Sequence, residues 1–259
     1  MTKRSSFTIF KSVVLALFLR EVQTRFGTKK LGYFWAVFDA MFMVMIFAGL
    51  KSLISSKSMP GIDYPVYLAT TFLAFFLWKN IVRNTMNAFS ANKALFAYKQ
   101  VKPFDTLVTR LLLEMLVSSV ATLVFIAIGL YIGLDLSVKN FNMVIVAVLW
   151  LCLFGFAIGL MSAVFAYFYE FYAKVIGIVM APLMWISAIM YSVDSLPPVA
   201  RKIVLLNPLA HFMEMIHGFY FHKLTTEYVN YEYMLYWTLI PLWIGLFFYK
   251  RSEKRILMS

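Results

Sequence analysis

The sequence predicts an all-α polytopic membrane protein with six transmembrane helices, an N-terminal amphipathic interface helix, a short cytoplasmic helix and an external re-entrant helix pair. Three observations predict it. Of 259 residues, 62% are hydrophobic and 14% charged, and the mean hydropathy is +0.79, so polar groups are too few to coat a soluble globule. The apolar residues gather into six stretches, each near the ~20 residues that cross a hydrocarbon core of about 30 Å. Basic residues collect on alternate connections, as in a chain threaded back and forth through a bilayer.

In chain order, residues 1–33 form a cytoplasmic or interfacial segment, too charged to span. Within it Phe10, Val13, Val14, Leu17 and Phe18 recur at helical spacing, and Glu21 and Arg25 stand one turn apart, which suits an amphipathic helix in the headgroup plane. The apolar run from Val13 to Leu19 is followed at once by Arg20 and Glu21 and lacks a small-residue cleavage site, so it is not a secretory signal. The transmembrane domain covers residues 34–250, with spans near 34–53, 64–81, 107–134, 143–167, 175–193 and 233–249, and a basic tail occupies 251–259.

Charge orients the bundle. Lys3, Arg4, Lys11, Arg20, Arg25, Lys29 and Lys30 precede the first span; Lys79, Arg83, Lys93, Lys99 and Lys102 follow the second; Lys250, Arg251, Lys254 and Arg255 end the chain. The positive-inside bias puts these segments and both termini in the cytoplasm. The opposite loops mix fewer bases with Asp63, Asp135, Asp194, Glu227 and Glu232. The net charge of +12 thus follows from topology and anionic headgroups, and a nucleic-acid partner is not required.

Two connections carry more than a connection needs. The loop from Arg83 to Asp105 exposes Phe89, Leu95, Phe96 and Tyr98 beside Asn84, Asn87 and Asn92; a short amphipathic helix ending before Pro103 accounts for both sets. Such a helix needs a groove, in its own bundle or in a partner. The external stretch from Asp194 to Glu232 has Pro197-Pro198 and Asn207-Pro208, each a good helix start, which predicts helices over Pro198 to Leu206 and Pro208 to His222. At membrane depth this irregular backbone requires protein cover or a watery cavity.

Charges within spans are costly and turn toward bundle interiors. Asp39 has no local partner. Arg110 and Glu114 stand at i, i+4 in the third span, which predicts a mutual ion pair. Catalytic motifs do not emerge: His211, His217 and His222 are spaced by six and five, unlike a helical zinc pair, and no phosphate loop or nucleophile elbow occurs. No catalytic residue and no metal site is expected, and the single Cys152 excludes a disulfide within the chain. ATP-driven transport would therefore draw on an ATPase in another polypeptide.

The stretches FLREVQTRFGTKKLGYFWAVFDA (Phe18 to Ala40), ANKALFAYKQVKPFDT (Ala91 to Thr106) and NPLAHFME (Asn207 to Glu214) together resemble the KpsM group of capsular-polysaccharide export permeases, type-2 ABC transporter transmembrane subunits of the bacterial inner membrane. The similarity runs through essentially the whole chain. One departure is Asp39-Ala40, where relatives often carry a proline. The resemblance implies a homodimer of six-span subunits, each docked on a cytoplasmic ABC ATPase that binds ATP and Mg, since this chain itself carries no cofactor. It also implies a channel for a lipid-linked acidic polysaccharide and periplasmic and outer-membrane export partners. In that frame Phe89, Asn92, Leu95, Phe96, Tyr98 and Lys99 form the coupling helix; Arg20, Arg25, Lys29 and Lys30 receive the phosphate or acidic linker; Trp35, Phe38, Asp39, Tyr172, Trp185 and Tyr191 line the channel; and Asn207, Pro208, His211 and Glu214 belong to the external re-entrant region. The alternatives are a permease for another glycan such as O-antigen or teichoic acid, an ion-coupled carrier using Asp39 and Glu114, and a membrane scaffold that recruits a partner without transport.

Overall fold

The computed structural model describes residues 6–26, 38, 41–50, 62–98 and 100–258, and among these every regular element is a helix. They are α1 (Ser6–Phe26), α2 (Met41–Leu50), α3 (Tyr64–Met86), α4 (Ala88–Ala91), α5 (Pro103–Tyr131), α6 (Phe141–Phe168), α7 (Glu170–Leu183), α8 (Pro198–Val204), α9 (Pro208–Tyr220) and α10 (Tyr231–Met258), with 3₁₀ turns at Lys93–Ala97 and Val193–Ser195. By length and composition α3, α5 and α6 can each cross a membrane.

Local chemistry explains where these helices begin. Pro65, Pro103, Pro198 and Pro208 all stand in first turns, where a missing N–H costs nothing. The Asp105 carboxylate accepts the Lys102 N–H at 2.9 Å, and the side chain of Asn140 accepts the Met143 N–H at the start of α6. Apolar boundaries do not fix helix ends. Thus α3 continues past Ile81 to Met86 and α10 continues past Tyr249 to Met258, because a helix persists into water once its backbone bonds are made.

The centre of the bundle is α6, which packs against α3, α9 and α10. Close approach to α10 depends on Gly245: a Cβ there would sit 2.9 Å from both Leu160 Cγ and the Met161 backbone nitrogen. Helix α1 lies along α5, burying Val14 and Leu17 while Phe7, Leu15 and Leu19 stay exposed. It is apolar on more than one side.

The predicted fifth span is where the fold departs most from an uninterrupted rod. Helix α7 stops at Leu183, one residue after Pro182, and residues 184–191 run as turns and bends, with Ala188 at a left-handed φ of 55°. Among its fourteen residues only Met180 is buried. Unwound backbone in an apolar setting leaves carbonyls that must find donors. Here α3 and the start of α9 supply them: Thr71 Oγ1 donates to Ile189 O at 2.9 Å, Tyr64 Oη to Met190 O at 3.3 Å and Asn207 Nδ2 to Ile186 O at 3.1 Å.

Candidate functional site

At one end of the bundle, the chain leaving α3 turns through α4 and the Lys93–Ala97 turn before entering α5. The predicted single helix is thus two short pieces. Asn92 stands at the break, its Nδ2 bonded to Ala88 O at 3.0 Å, a local bond that competes with helix continuation. Phe89 and Phe96 are buried in the chain's own bundle. Phe89 lies between Tyr167 and Tyr249, at ring-centroid distances of 6.1 and 6.2 Å. Leu95 is half-buried, Tyr98 is 66% exposed, and Lys99 lies outside the described residues. The segment therefore has an inner face held by two phenylalanines and an outer face of Lys93, Ala94 and Tyr98.

Beside it opens a polar cavity of about 350 Å³, walled by Arg20, Glu21, Thr24, Asn84, Ala91, Asn92 and Arg110. The sequence pairs Arg110 with Glu114, but the structure gives Arg110 a different partner; the expected Glu21–Arg25 pair involves a side chain outside the described residues. Arg110 Nε donates to Glu21 Oε1 at 2.8 Å, Asn92 Nδ2 donates to the same oxygen at 3.3 Å, and Glu114 accepts from Asn84 Nδ2 at 2.8 Å. Helical spacing identifies neighbours on one helix, whereas the packing of α1 on α5 offers Arg110 a carboxylate from 89 positions away. Glu21 thus ties α1, α5 and the α4 segment together. Arg20 is on the cavity wall; the side chain of Arg25 and all of Lys29 and Lys30 lie outside the described residues.

Of the aromatic channel candidates, Phe38 precedes α2, Tyr172 lies in α7, and Trp185 and Tyr191 follow it. Phe38 stacks on Phe42 at 5.2 Å. Trp185, 56% exposed, meets Phe47 edge-on at 6.0 Å and accepts a hydrogen bond at its carbonyl from Tyr191 Oη. Tyr172 is at the other end of α7, tilted on Phe165 at 5.6 Å. Trp35 and Asp39 lie outside the described residues.

At the opposite end of the bundle, α9 is inserted among α3, α6 and α10, and every residue from Leu209 to Gly218 is buried. Its polar side chains are spent on architecture. Asn207 caps the helix by accepting the Leu209 N–H, while its Nδ2 also donates to Ser187 Oγ at 2.8 Å. His211 Nε2 donates to Leu205 O and its Nδ1 accepts the Asn230 N–H, a pairing that assigns one neutral tautomer. His217 stacks on Tyr67 with centroids 3.9 Å apart, and burial drives its imidazole down to about 3. Glu214 accepts the Val193 N–H at 3.4 Å; burial pushes its carboxyl up to about 7, with Asp194 adding to the rise and Ser192 and Arg201 opposing it. Arg201 binds the carbonyls of Val193, Asp194 and Leu196 and donates to Tyr228 Oη. That anchor is illegible in sequence, because its acceptors are backbone atoms.

Comparison with known proteins adds what geometry alone does not. The ABC-2 type transporter family model matches residues 12–221. The chain is 33% identical over 256 residues, 99% of either chain, to the polysialic acid transport protein KpsM of Escherichia coli. It is 27% identical over 255 residues, 98% of this chain and 96% of the relative, to the capsule polysaccharide export inner-membrane protein BexB of Haemophilus influenzae. It is also 27% identical over 252 residues, 97% of this chain and 95% of the relative, to the capsule polysaccharide export inner-membrane protein CtrC of Neisseria meningitidis.

Proposed function

We infer, because this chain belongs to the ABC-2 type transporter family, that it is the inner-membrane permease subunit of an ATP-driven exporter of capsular polysaccharide. The observation that carries this reading is similarity along almost the full length of the chain to permeases named for capsule polysaccharide export. A permease does not hydrolyse ATP. The nucleotide and its Mg belong to a separate cytoplasmic ATPase, and the cargo is a lipid-linked, acidic polymer.

Six spans serve this function: the first predicted span, of which α2 is the described part, then α3, α5, α6, α7 with its unwound continuation, and α10. Both termini and the α4 segment face the cytoplasm, following the distribution of bases. The two-faced α4 segment is the coupling element. Its outer face with Lys93 and Tyr98 meets the ATPase, and Lys99 next in sequence adds a charge to that contact, while Phe89 and Phe96 transmit displacement into α5, α6 and α10 through Tyr249 and Tyr167, as rigid-body switching requires. Two copies assemble with the α2 and α7 sides forming the path, since α7, read as a span, buries only Met180 within its own chain. Phe38, Trp185 and Tyr191 give that path apolar ring faces along which a sugar chain slides. Arg20, with Arg25, Lys29 and Lys30, draws the acidic linker toward the cytoplasmic mouth. The α9 region around Asn207, His211 and Glu214 braces the periplasmic mouth, where export proteins of the periplasm and outer membrane receive the polymer.

Reconstitution with the cognate ATPase tests this function. Hydrolysis that rises on adding lipid-linked acidic polysaccharide supports the assignment; stimulation only by a different glycan moves it elsewhere in the family, and no stable association with an ATPase refutes it. Topology has its own check. In Lys93→Cys, an impermeant thiol reagent should label inverted vesicles and not intact cells.

A further inference from the structure

Between α3, α5 and α6, at the end of the bundle that holds α9, lies a second cavity of about 290 Å³. Its walls are Leu73 and Leu77 of α3, Thr122 and Phe125 of α5, and Val144 and Val148 of α6. The hydroxyls on the walls are largely engaged: Thr122 Oγ1 donates to Ser118 O at 2.9 Å and Thr70 Oγ1 to Tyr67 O at 2.9 Å. A cavity lined this way offers water few partners and stays dry. Along α5 it runs from Ser118 to Leu130, a length of about 18 Å at the helical rise. One leaflet of hydrocarbon is about 15 Å deep. On the bilayer side Ile126 and Leu130 of its lining are exposed.

The mouth of the groove carries a cation. Val138 and Tyr220 line that end, and the next residue, Lys139, directs its Nζ to the carbonyls of Gly218 at 3.3 Å and Leu224 at 3.1 Å. An ammonium has three N–H donors. Two are used, and the exposed group holds its charge at the level where a phospholipid phosphate would stand above its chains.

We propose that this groove binds one acyl chain of a bilayer phospholipid, with the lipid phosphate held at Lys139. The site rests on the membrane reading of the chain and not on the identity of the exported polymer. Its occupant fills the seam where α5 leans away from α6, so the packing of these helices includes a lipid as well as side chains. Length, dryness and the cation at one end select a single chain with an anionic head over water or a soluble ligand.

The test uses the full-length protein in nanodiscs containing phosphatidylglycerol with a diazirine midway along one acyl chain. After illumination, adducts should concentrate on peptides containing Leu73, Thr122 and Val148. Thr122→Phe should cut these adducts about tenfold, since many small dispersion contacts are lost together when the groove is filled. Lys139→Gln should cut them about fivefold, the worth of one cation near an anionic headgroup. Leu149→Phe, on an exposed position of α6 outside the groove, should leave them unchanged. If Thr122→Phe does not yield folded protein, Ala74→Leu narrows the same groove from α3 and should act in the same direction. Adducts spread evenly over exposed positions such as Trp243, or unaltered by the filling substitutions, would overturn the site. So would crosslinks from Thr122→Cys to a second copy or to another segment of this chain, and an unchanged yield in Lys139→Gln would overturn the headgroup contact.

Discussion

Loss of the Glu21 carboxylate should release α1 and loosen the α4 segment together. Its Oε1 receives Arg110 Nε at 2.8 Å and Asn92 Nδ2 at 3.3 Å. The paired side chains are 18% and 13% exposed, which places the interaction between two regimes. Exposed pairs couple by about 0.2–1 kcal/mol, while breaking a buried pair costs about 3–5 kcal/mol. A charge-assisted hydrogen bond at this distance and partial burial should couple by about 1–2 kcal/mol. The assay is a double-mutant cycle with Glu21→Gln, Arg110→Gln and the double variant, followed by denaturant unfolding in detergent micelles. Hydrogen exchange across residues 88–98 reads the Asn92 arm independently, and should accelerate in Glu21→Gln. A coupling below about 0.3 kcal/mol, within the scatter of independent sites, would refute the clasp; unaltered exchange in the α4 segment would refute its role in holding that segment.

Three further outcomes follow from the geometry. Gly218→Ala places a Cβ 2.6 Å from Thr226 Cγ2 and 2.8 Å from Thr225 O, so thermal unfolding should report a loss of about 1–3 kcal/mol; an unchanged midpoint would mean that the 225–226 segment yields freely. Tyr98→Ala should weaken ATPase capture in a pull-down with the melting temperature kept, whereas Phe96→Asp should lower the melting temperature by burying a charge in the chain's own core; the reverse assignment would place the partner surface on the other face. In Glu214 the raised carboxyl gives stability that is full below the usual carboxylate pKa of 4.5 and lost as pH rises to about 7, while in His217 the lowered imidazole gives stability that is full above 6.5 and lost as pH falls toward 3. The two slopes oppose one another between pH 4.5 and 6.5, so Glu214→Gln should uncover a stability that climbs with pH in that window, measured by melting in buffered detergent, and a flat profile would count against a neutral His217.

Much of the helical pattern was readable because its signals are local. Each proline-marked start needs only its own turn, and Asn207 caps α9 through the Leu209 N–H two residues away. The inner face of the α4 segment was half-legible: Phe89 and Phe96 announced a groove, and nothing in the sequence said that the groove belongs to the same chain. What failed to show were partners remote in sequence. Arg110 has a carboxylate four residues on and chooses one from α1. Residues 184–191 sit within a stretch apolar enough to span, yet the carbonyls that let the helix end early are served by Tyr64 and Thr71, more than a hundred positions earlier. Composition measures the cost of leaving hydrocarbon, not which hydroxyl will be waiting when a helix unwinds.

The unequal fastening of α7 has a mechanical corollary. Near Ile186, Ile189 and Met190 the segment after the helix is stitched to its neighbours, while at the other end Tyr169 alone separates α7 from α6 and Tyr172 rests on Phe165. A rod pinned at both tips bows between them, so force reaching the bundle from the basic side would be taken up by the exposed middle turns of α7 while the two ends barely stir. The same few hydroxyls that make a broken span tolerable in oil thereby serve as one of its two anchors.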